Sequence, residues 1–164
     1  MKLFTTILLS LSTLVLNVQG SAVSPSPLPS FVSVENVSRE FNGNATSVNK
    51  RAGTEIVTCY NAGTRVDRGP STSSIDDFCN RFKGQTLSNG QNVANRYDWG
   101  TFTILVSAEA INGCSFTIDG NCNRLLRKPV DECNTRGENG KQGGFVRDLC
   151  GQWRYDPGSN GSDY

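Results

Sequence analysis

The sequence predicts an α+β fold in which two helices cover a small, mainly antiparallel sheet and disulfides staple the layers. Three observations predict it. The chain has 164 residues, its six cysteines all follow residue 51, and short β-branched runs alternate with two segments of helical periodicity. A chain of this length allows one domain, or one small domain with additional segments, and a domain this small with six cysteines is typical of those that supplement a modest core with disulfides.

The first strand and the first helix follow directly after residue 53. The β-branched run Glu55–Tyr60 predicts a strand, and residues 61–70 predict a polar loop. A helix is expected to open at Ser73 or Ser74, where an acidic residue three positions later completes a capping box. Its apolar face should lie on the sheet and consists of Ile75, Phe78, Cys79 and Phe82.

A hairpin is predicted in the middle of the domain. Residues 84–95 are polar and contain the turn signal Asn89-Gly90, and Thr101–Ala108 then predicts a central strand. Asn112-Gly113 is a strong short-range hairpin signal. The alternating apolar residues that follow, Cys114, Phe116 and Ile118, predict a return strand paired with the central one.

The C-terminal third predicts a helix, a long loop and a strand. A second helix starts near Asp119, with Cys122, Leu125, Leu126, Val130 and Cys133 on one face. Pro129 should kink or split it. Residues 134–144 form a Gly-rich polar loop, and residues 145–156 predict one last strand.

The N-terminal third predicts export and processing. Residues 1–20 read as a secretory signal peptide, because a short apolar run follows Lys2 and small residues follow the run. Residues 21–51 read as an extended, disordered pro-segment that is rich in Pro and Ser and ends at the dibasic pair Lys50-Arg51. The mature domain would be residues 52–164 of a secreted, extracellular protein. N-glycosylation sequons occur at Asn36, Asn44 and Asn160.

The composition excludes several classes of chemistry. The chain contains no histidine, so Ser-His-Asp and Cys-His catalytic triads lack their base and most zinc sites lack a ligand. We therefore expect neither a metal nor another cofactor. A net charge of +1 argues against a nucleic-acid partner. The apolar run near the N-terminus is too short and too interrupted by Ser and Thr to predict membrane insertion. None of the acidic residues has the apolar sequence context that would mark a raised pKa. The sequence therefore indicates a protein that is not an enzyme.

Six cysteines in an oxidising compartment imply three disulfides out of fifteen possible pairings. We expect Cys114–Cys122, because the intervening segment is short. We also expect Cys59–Cys133 and Cys79–Cys150, each tying a helix to a strand.

Aromatic and loop residues suggest a binding site. Tyr97, Trp99 and Trp153 are flanked by charged residues, and an aromatic ring beside planar hydrogen-bonding groups suits a sugar ring. Long loops in short domains are often functional. The candidate glycan site is therefore these three aromatic residues with the loop residues Arg136, Glu138, Asn139 and Lys141.

Two motifs carry a resemblance to a known family. The first is Thr58-Cys-Tyr-Asn-Ala-Gly63, followed by a helix with Asp76-x-Phe78-Cys79. The second runs from Cys122 through Val130-Asp-x-Cys133-Asn-Thr-x-Gly-x-Asn139-Gly-Lys-Gln-Gly-Gly144 to Cys150-Gly-x-Trp153-Arg-x-Asp156-Pro157. Residues 54–158 thereby resemble the small secreted fungal lectins of the ink-cap mushroom type.

That resemblance implies an α/β-sandwich domain, a homodimer, and non-catalytic binding of N-acetylated, fucosylated glycans or glycoproteins. The alternative is a secreted effector or a protein like the smut killer toxins, which acts on a host or competitor cell. Those toxins are also small, processed, disulfide-bonded α/β proteins.

Overall fold

The computed structural model describes residues 30–39 and 54–158. The predicted signal peptide, the processing pair Lys50-Arg51 and the sequons at Asn44 and Asn160 lie outside these residues. The elements of the described residues are β1 (Ser33–Asn36), β2 (Ile56–Cys59), α1 (Arg68–Phe82), β3 (Thr86–Ser88), β4 (Asn92–Asp98), β5 (Thr103–Ala110), β6 (Ser115–Thr117), α2 (Asn121–Glu132), β7 (Gly144–Arg147) and β8 (Gly151–Gly158).

Six strands form one sheet in the order β1-β4-β5-β8-β7-β2, and every neighbouring pair is antiparallel. Strands β3 and β6 form a separate antiparallel pair. With two helices and three disulfides, this arrangement confirms the predicted small, disulfide-stabilised α+β fold.

Both helices pack against one face of the main sheet. Side chains alternate between the faces of a strand, so the register puts Trp153 beside Ala108 and Tyr155 beside Val106 on that face. The helices cover them with the predicted apolar residues, which form one buried core: Ile75 and Phe78 of α1, and Leu125, Leu126 and Val130 of α2.

Helix α1 begins at Arg68, five residues before the predicted start, so the expected capping box is wrong. Pro70 was expected to belong to the preceding loop, but it lies in the first helical turn, where a missing backbone N–H costs nothing. The serine that would have capped the helix is instead inside it, and Ser74 is fully buried.

Helix α2 runs from Asn121 to Glu132 without the split that Pro129 predicted. Pro129 lies in the last turn, so its missing N–H removes a single bond near the helix end. Its carbonyl oxygen accepts the N–H of Cys133 at 3.2 Å, which closes the helix.

The predicted central hairpin is wrong in its pairing. Asn112 (φ 57°) and Gly113 (φ 75°) do form a turn, but β6 pairs with β3, and β5 lies between β4 and β8. Residues 84–95, for which the sequence predicted only a polar stretch with a turn at Asn89-Gly90, supply β3 and the start of β4. Asn92 and Asn95 are buried there, and hydrogen bonds to their side-chain amides offset the cost of burial, which a hydrophobic pattern does not reveal.

The last strand was also predicted as one element and is two. Strands β7 and β8 form an antiparallel hairpin whose turn is held by Asp148. Its Oδ1 accepts the backbone N–H groups of Cys150 at 2.8 Å and Gly151 at 2.7 Å. The acidic turn residue therefore separates two strands that share one apolar run.

One predicted disulfide is confirmed and two are wrong. Cys59–Cys133 is present with a Cα separation of 5.5 Å. The others are Cys79–Cys122, at 5.8 Å, and Cys114–Cys150, at 5.1 Å. Cys79–Cys122 joins α1 to α2, which lie side by side, and Cys114–Cys150 joins residues near one end of the neighbouring strands β5 and β8. Short sequence separation was therefore the wrong guide for the pairing.

Part of the predicted pro-segment is folded onto the domain. Strand β1 forms the edge of the main sheet beside β4, although this stretch was expected to be disordered. Asn36, the sequon residue among the described residues, is exposed on this edge strand.

Candidate functional site

The loop between α2 and β7 is held at both ends. The Cys59–Cys133 disulfide fixes its start to the end of β2. Near its end, Lys141 exchanges two backbone hydrogen bonds with Val66, of 2.8 and 3.1 Å. Gly143 then accepts the backbone N–H of Tyr60 at 3.1 Å. These contacts place the polar loop beside the segment that follows β2.

A cleft of about 470 Å³ lies between these two segments, and we call it the Tyr60 cleft. It is lined by Tyr60, Asn61, Arg65, Asn134, Thr135, Arg136, Asn139, Gly140 and Gln142. Asn134 Nδ2 donates to Gln142 Oε1 at 3.0 Å, so two of the lining amides hold each other in place. The lining combines one aromatic ring with amides and two guanidinium groups and includes no carboxylate.

A second cleft of about 460 Å³ adjoins the first and shares Tyr60 and Asn61 with it. Arg154 and Asp156 add an ion pair to its wall. The Arg154 guanidinium lies 5.6 Å from the centroid of the Tyr60 ring, and the Phe145 ring lies 6.3 Å from it. Tyr60 is therefore a half-buried ring supported by neighbours and accessible from two clefts.

The predicted loop residues divide into two groups. Arg136 and Asn139 line the Tyr60 cleft. Glu138 does not; its side chain is 83% exposed, and its carboxylate lies 3.8 Å from the Arg68 guanidinium. Lys141 is only 4% exposed, and its Nζ donates to the Gly137 carbonyl at 2.9 Å. Lys141 thus holds the loop in shape rather than facing the cleft.

The predicted aromatic residues do not join this cleft. Trp153 is 2% exposed and packs on Phe116, with ring centroids 5.0 Å apart. Tyr97 is fully buried beneath α1, where its hydroxyl donates to Asp77 at 3.0 Å and burial raises its pKa. Neither ring is exposed for a sugar to stack on it, so the structure corrects these two assignments.

Trp99 lies apart from the loop, just after β4. It is half-buried, its Nε1 donates to Ser74 Oγ at 3.1 Å, and its ring stacks on Phe102. Strand β4 is at the opposite side of the sheet from β2, which leads into Tyr60. The structure therefore separates Trp99 from the loop residues with which it was grouped.

Sequence reasoning missed Tyr60, Asn61 and Arg65 as site residues. A signal was present, because the expected Cys59–Cys133 disulfide brings the end of β2 next to the start of the loop. An aromatic residue directly after that half-cystine could have been assigned to the loop on this ground. The polar composition of residues 61–70 instead suggested a simple connection.

The described residues contain neither a metal-binding cluster nor a membrane-spanning helix. Among residues 30–39 and 54–158, no three acidic or cysteine side chains cluster closely enough to hold a metal ion. Neither helix in the described part of the chain is long and apolar enough to span a membrane.

Comparison with known proteins gives one informative match. No family model matches the chain. The antifungal protein Lap of Lyophyllum shimeji is 72% identical over 29 residues, which are 97% of that protein and 16% of this chain. Through this stretch, the chain belongs to the same family as the antifungal protein Lap.

Proposed function

We propose that the protein is a secreted, non-catalytic carbohydrate-binding protein that holds a sugar of a cell-surface glycan in the Tyr60 cleft. The observation that carries this proposal is the single supported aromatic ring in a cleft of hydrogen-bonding side chains. A sugar has apolar C–H faces and hydroxyl groups at its edge, so it is complementary to such a lining.

The polar lining has suitable chemistry for a sugar edge. The amides of Asn61 and Asn139 can both donate to and accept from hydroxyl groups or an N-acetyl group. Arg65 and Arg136 add donors in a planar arrangement, which suits oxygen acceptors. The absence of a carboxylate from the lining favours a glycan that presents acceptors, including N-acetyl oxygens.

The cleft is also held in place before any ligand binds. The disulfide and the Lys141 contacts fix the loop, and Phe145 and Arg154 support the ring. A site fixed in its binding conformation loses less conformational entropy on binding. This rigidity supports binding as the role of the loop.

The proposal is tested with the purified secreted protein on a glycan array, followed by titration of the best glycan. We expect Tyr60→Ala to weaken binding by about fivefold or more, because a stacked aromatic contact contributes about 1 kcal/mol or more. Tyr60→Phe keeps the ring and should retain most of the affinity.

A matched pair on the loop separates the cleft from its surroundings. Asn139→Ala removes a lining amide and should weaken binding, whereas Glu138→Ala changes the adjacent exposed residue and should not. Both variants should melt close to the parent, because exposed substitutions change stability by less than about 0.5 kcal/mol. Equal binding by the parent, Tyr60→Ala and Asn139→Ala would refute the site.

A second candidate function is antifungal action on competitor cells. The match to the antifungal protein Lap favours it over other effector or killer-toxin roles. The purified protein should then inhibit the growth of fungal cultures. If sugar binding directs it to cells, Tyr60→Ala should lose inhibition in parallel with glycan affinity. Inhibition by Tyr60→Ala equal to that by the parent would show that the activity does not use this cleft.

A further inference from the structure

Residues 31–39 precede the Lys50-Arg51 pair yet complete the edge of the sheet. Strand β1 pairs with β4 from Ser33 opposite Asp98 to Asn36 opposite Asn95. Backbone bonds extend the pairing at both ends, from Val32 N–H to the Asp98 carbonyl (2.6 Å) and from Val37 N–H to the Ala94 carbonyl (2.9 Å). The segment is therefore bound as an added strand, which is a common mode of peptide recognition.

Side chains of this segment make three kinds of contact. The Phe31 ring packs edge-on against Tyr97 and Trp99, with centroids 5.2 and 5.9 Å away. Val34 packs against the hydrophobic core. Arg39 forms an ion pair with Glu109 at 3.0 Å. An aromatic residue thus contacts the domain at one end of the segment, an aliphatic residue in the middle and a basic residue at the other end.

The segment covers a surface that would otherwise be open. Without it, β4 would present an unpaired strand edge, and such edges accept other strands. Tyr97 and Asn95, which are 0% and 2% exposed, lie on the strand that it covers. Loss of the segment would also uncover the side of the Trp99 ring against which Phe31 packs.

The covalent connection of this segment to the domain depends on residues 40–53 alone. Because segment and domain belong to one chain, the segment binds intramolecularly, and such linkage gives effective concentrations up to the order of millimolar. Cleavage after Arg51 would remove the tether, so the segment would then bind only at its free concentration. The same contacts that hold it in the intact chain would fail on dilution.

We propose that residues 31–39 are a detachable strand, and that processing after Arg51 opens the β4 edge as a binding site for an extended peptide. The bound peptide would place an aromatic residue against Tyr97 and Trp99, an aliphatic one at the Val34 position and a basic one near Glu109. This site is independent of the Tyr60 cleft, because it lies at the opposite edge of the sheet.

The experiment starts from the intact secreted protein and a dibasic-specific protease. Mass spectrometry should show a new N-terminus at Ala52, and a Lys50→Ala/Arg51→Ala chain is the uncut control. After cleavage and dilution to about 1 µM, far below the tethered concentration, the segment should separate on size exclusion. Tryptophan emission should shift to the red, and the shift reports Trp99, because the other tryptophan, Trp153, is buried.

Adding a synthetic peptide of residues 30–39 should reverse the emission shift. Phe31→Ala in the peptide should weaken its binding at least tenfold. Val32→Ala is the matched control, because Val32 is 73% exposed, and should leave affinity unchanged. A second measurement uses the uncut chain and labelled peptide. The peptide concentration that gives half-maximal binding should be at least tenfold lower for the intact Phe31→Ala chain than for the intact parent.

Several results would overturn the proposal. One is a segment that stays bound after cleavage and dilution. Another is a peptide that neither reverses the shift nor binds the intact Phe31→Ala chain. A third is a cut domain that forms a concentration-dependent dimer the peptide does not dissociate, since a second copy would then occupy the β4 edge.

Discussion

Gly143 offers the sharpest test of how the loop is attached to the sheet. Its φ is +87°, and a Cβ built on it would lie 2.4 Å from the Tyr155 carbonyl oxygen and 2.7 Å from Pro157 Cδ. Gly140 in the same loop has nearly the same φ, +81°, but nothing lies within 4 Å of its Cβ position. The two glycines therefore share the backbone requirement and differ in the space around them.

The expected costs follow from that difference. Left-handed backbone costs a residue with a Cβ about 1–2 kcal/mol, which applies to both Gly143→Ala and Gly140→Ala. Forcing an atom into a packed site costs a further 1–3 kcal/mol or so, which applies to Gly143→Ala alone. We therefore expect Gly143→Ala to lower the free energy of unfolding by about 2–5 kcal/mol and Gly140→Ala by about 1–2 kcal/mol.

Guanidinium unfolding with the disulfides intact measures both variants, and thermal melting should place their midpoints about 4–15 °C apart. Equal costs for the two variants would refute the reasoning. They would mean that the Tyr155 backbone and the Pro157 ring move aside at little cost, so that the loop is not locked to β8 at Gly143.

Two further predictions concern the charges and the disulfides. Arg124 and Lys128 hold the pKa of Glu55 at about 2, below its ordinary 4.5, so the stabilisation is complete above pH 4.5 and disappears as the pH falls toward 2. The full shift corresponds to about 3 kcal/mol, but the Glu55 side chain is 24% exposed and solvent screening leaves about 1 kcal/mol. Glu55→Gln should therefore lower stability by about 1 kcal/mol at pH 7 and by nearly nothing at pH 2, in urea titrations; an equal loss at both pH values would contradict the ion-pair origin. Non-reducing peptide mapping should link Cys79 to Cys122, and the Cys79→Ser/Cys122→Ser chain should lose about 4 kcal/mol, because the bridge closes a 43-residue separation. A Cys79–Cys150 peptide would contradict the structure.

Local signals in the sequence predicted much of the fold. The apolar spacing of Ile75 and Phe78 in α1, and of Leu125 and Val130 in α2, identified buried helix faces, because helical period is a property of neighbouring residues. The β-branched run before Tyr60 identified β2 for the same reason. The Cys59–Cys133 bridge followed from expecting each helix to be tied to a strand.

The tertiary structure decided which strands pair with each other and which cysteines form disulfides. Strand β6 follows β5 after the predicted turn, yet it pairs with β3. Cys79 bonds to Cys122 because α1 and α2 lie side by side. Local sequence does not specify which distant strand or helix becomes the neighbour. Buried polar residues such as Asn95 also hide a strand, because their hydrogen-bond partners come from the fold.

The candidate site also has a part that the sequence predicted and a part that it did not. A polar loop after Cys133 that is tied to the end of β2 and carries Arg136 and Asn139 followed from the sequence. The burial of Trp153 and Tyr97, and the position of Tyr60 as the aromatic residue at the cleft, came from tertiary packing. An aromatic side chain is chemically suited to both a core and a binding surface, and its burial depends on what packs over it.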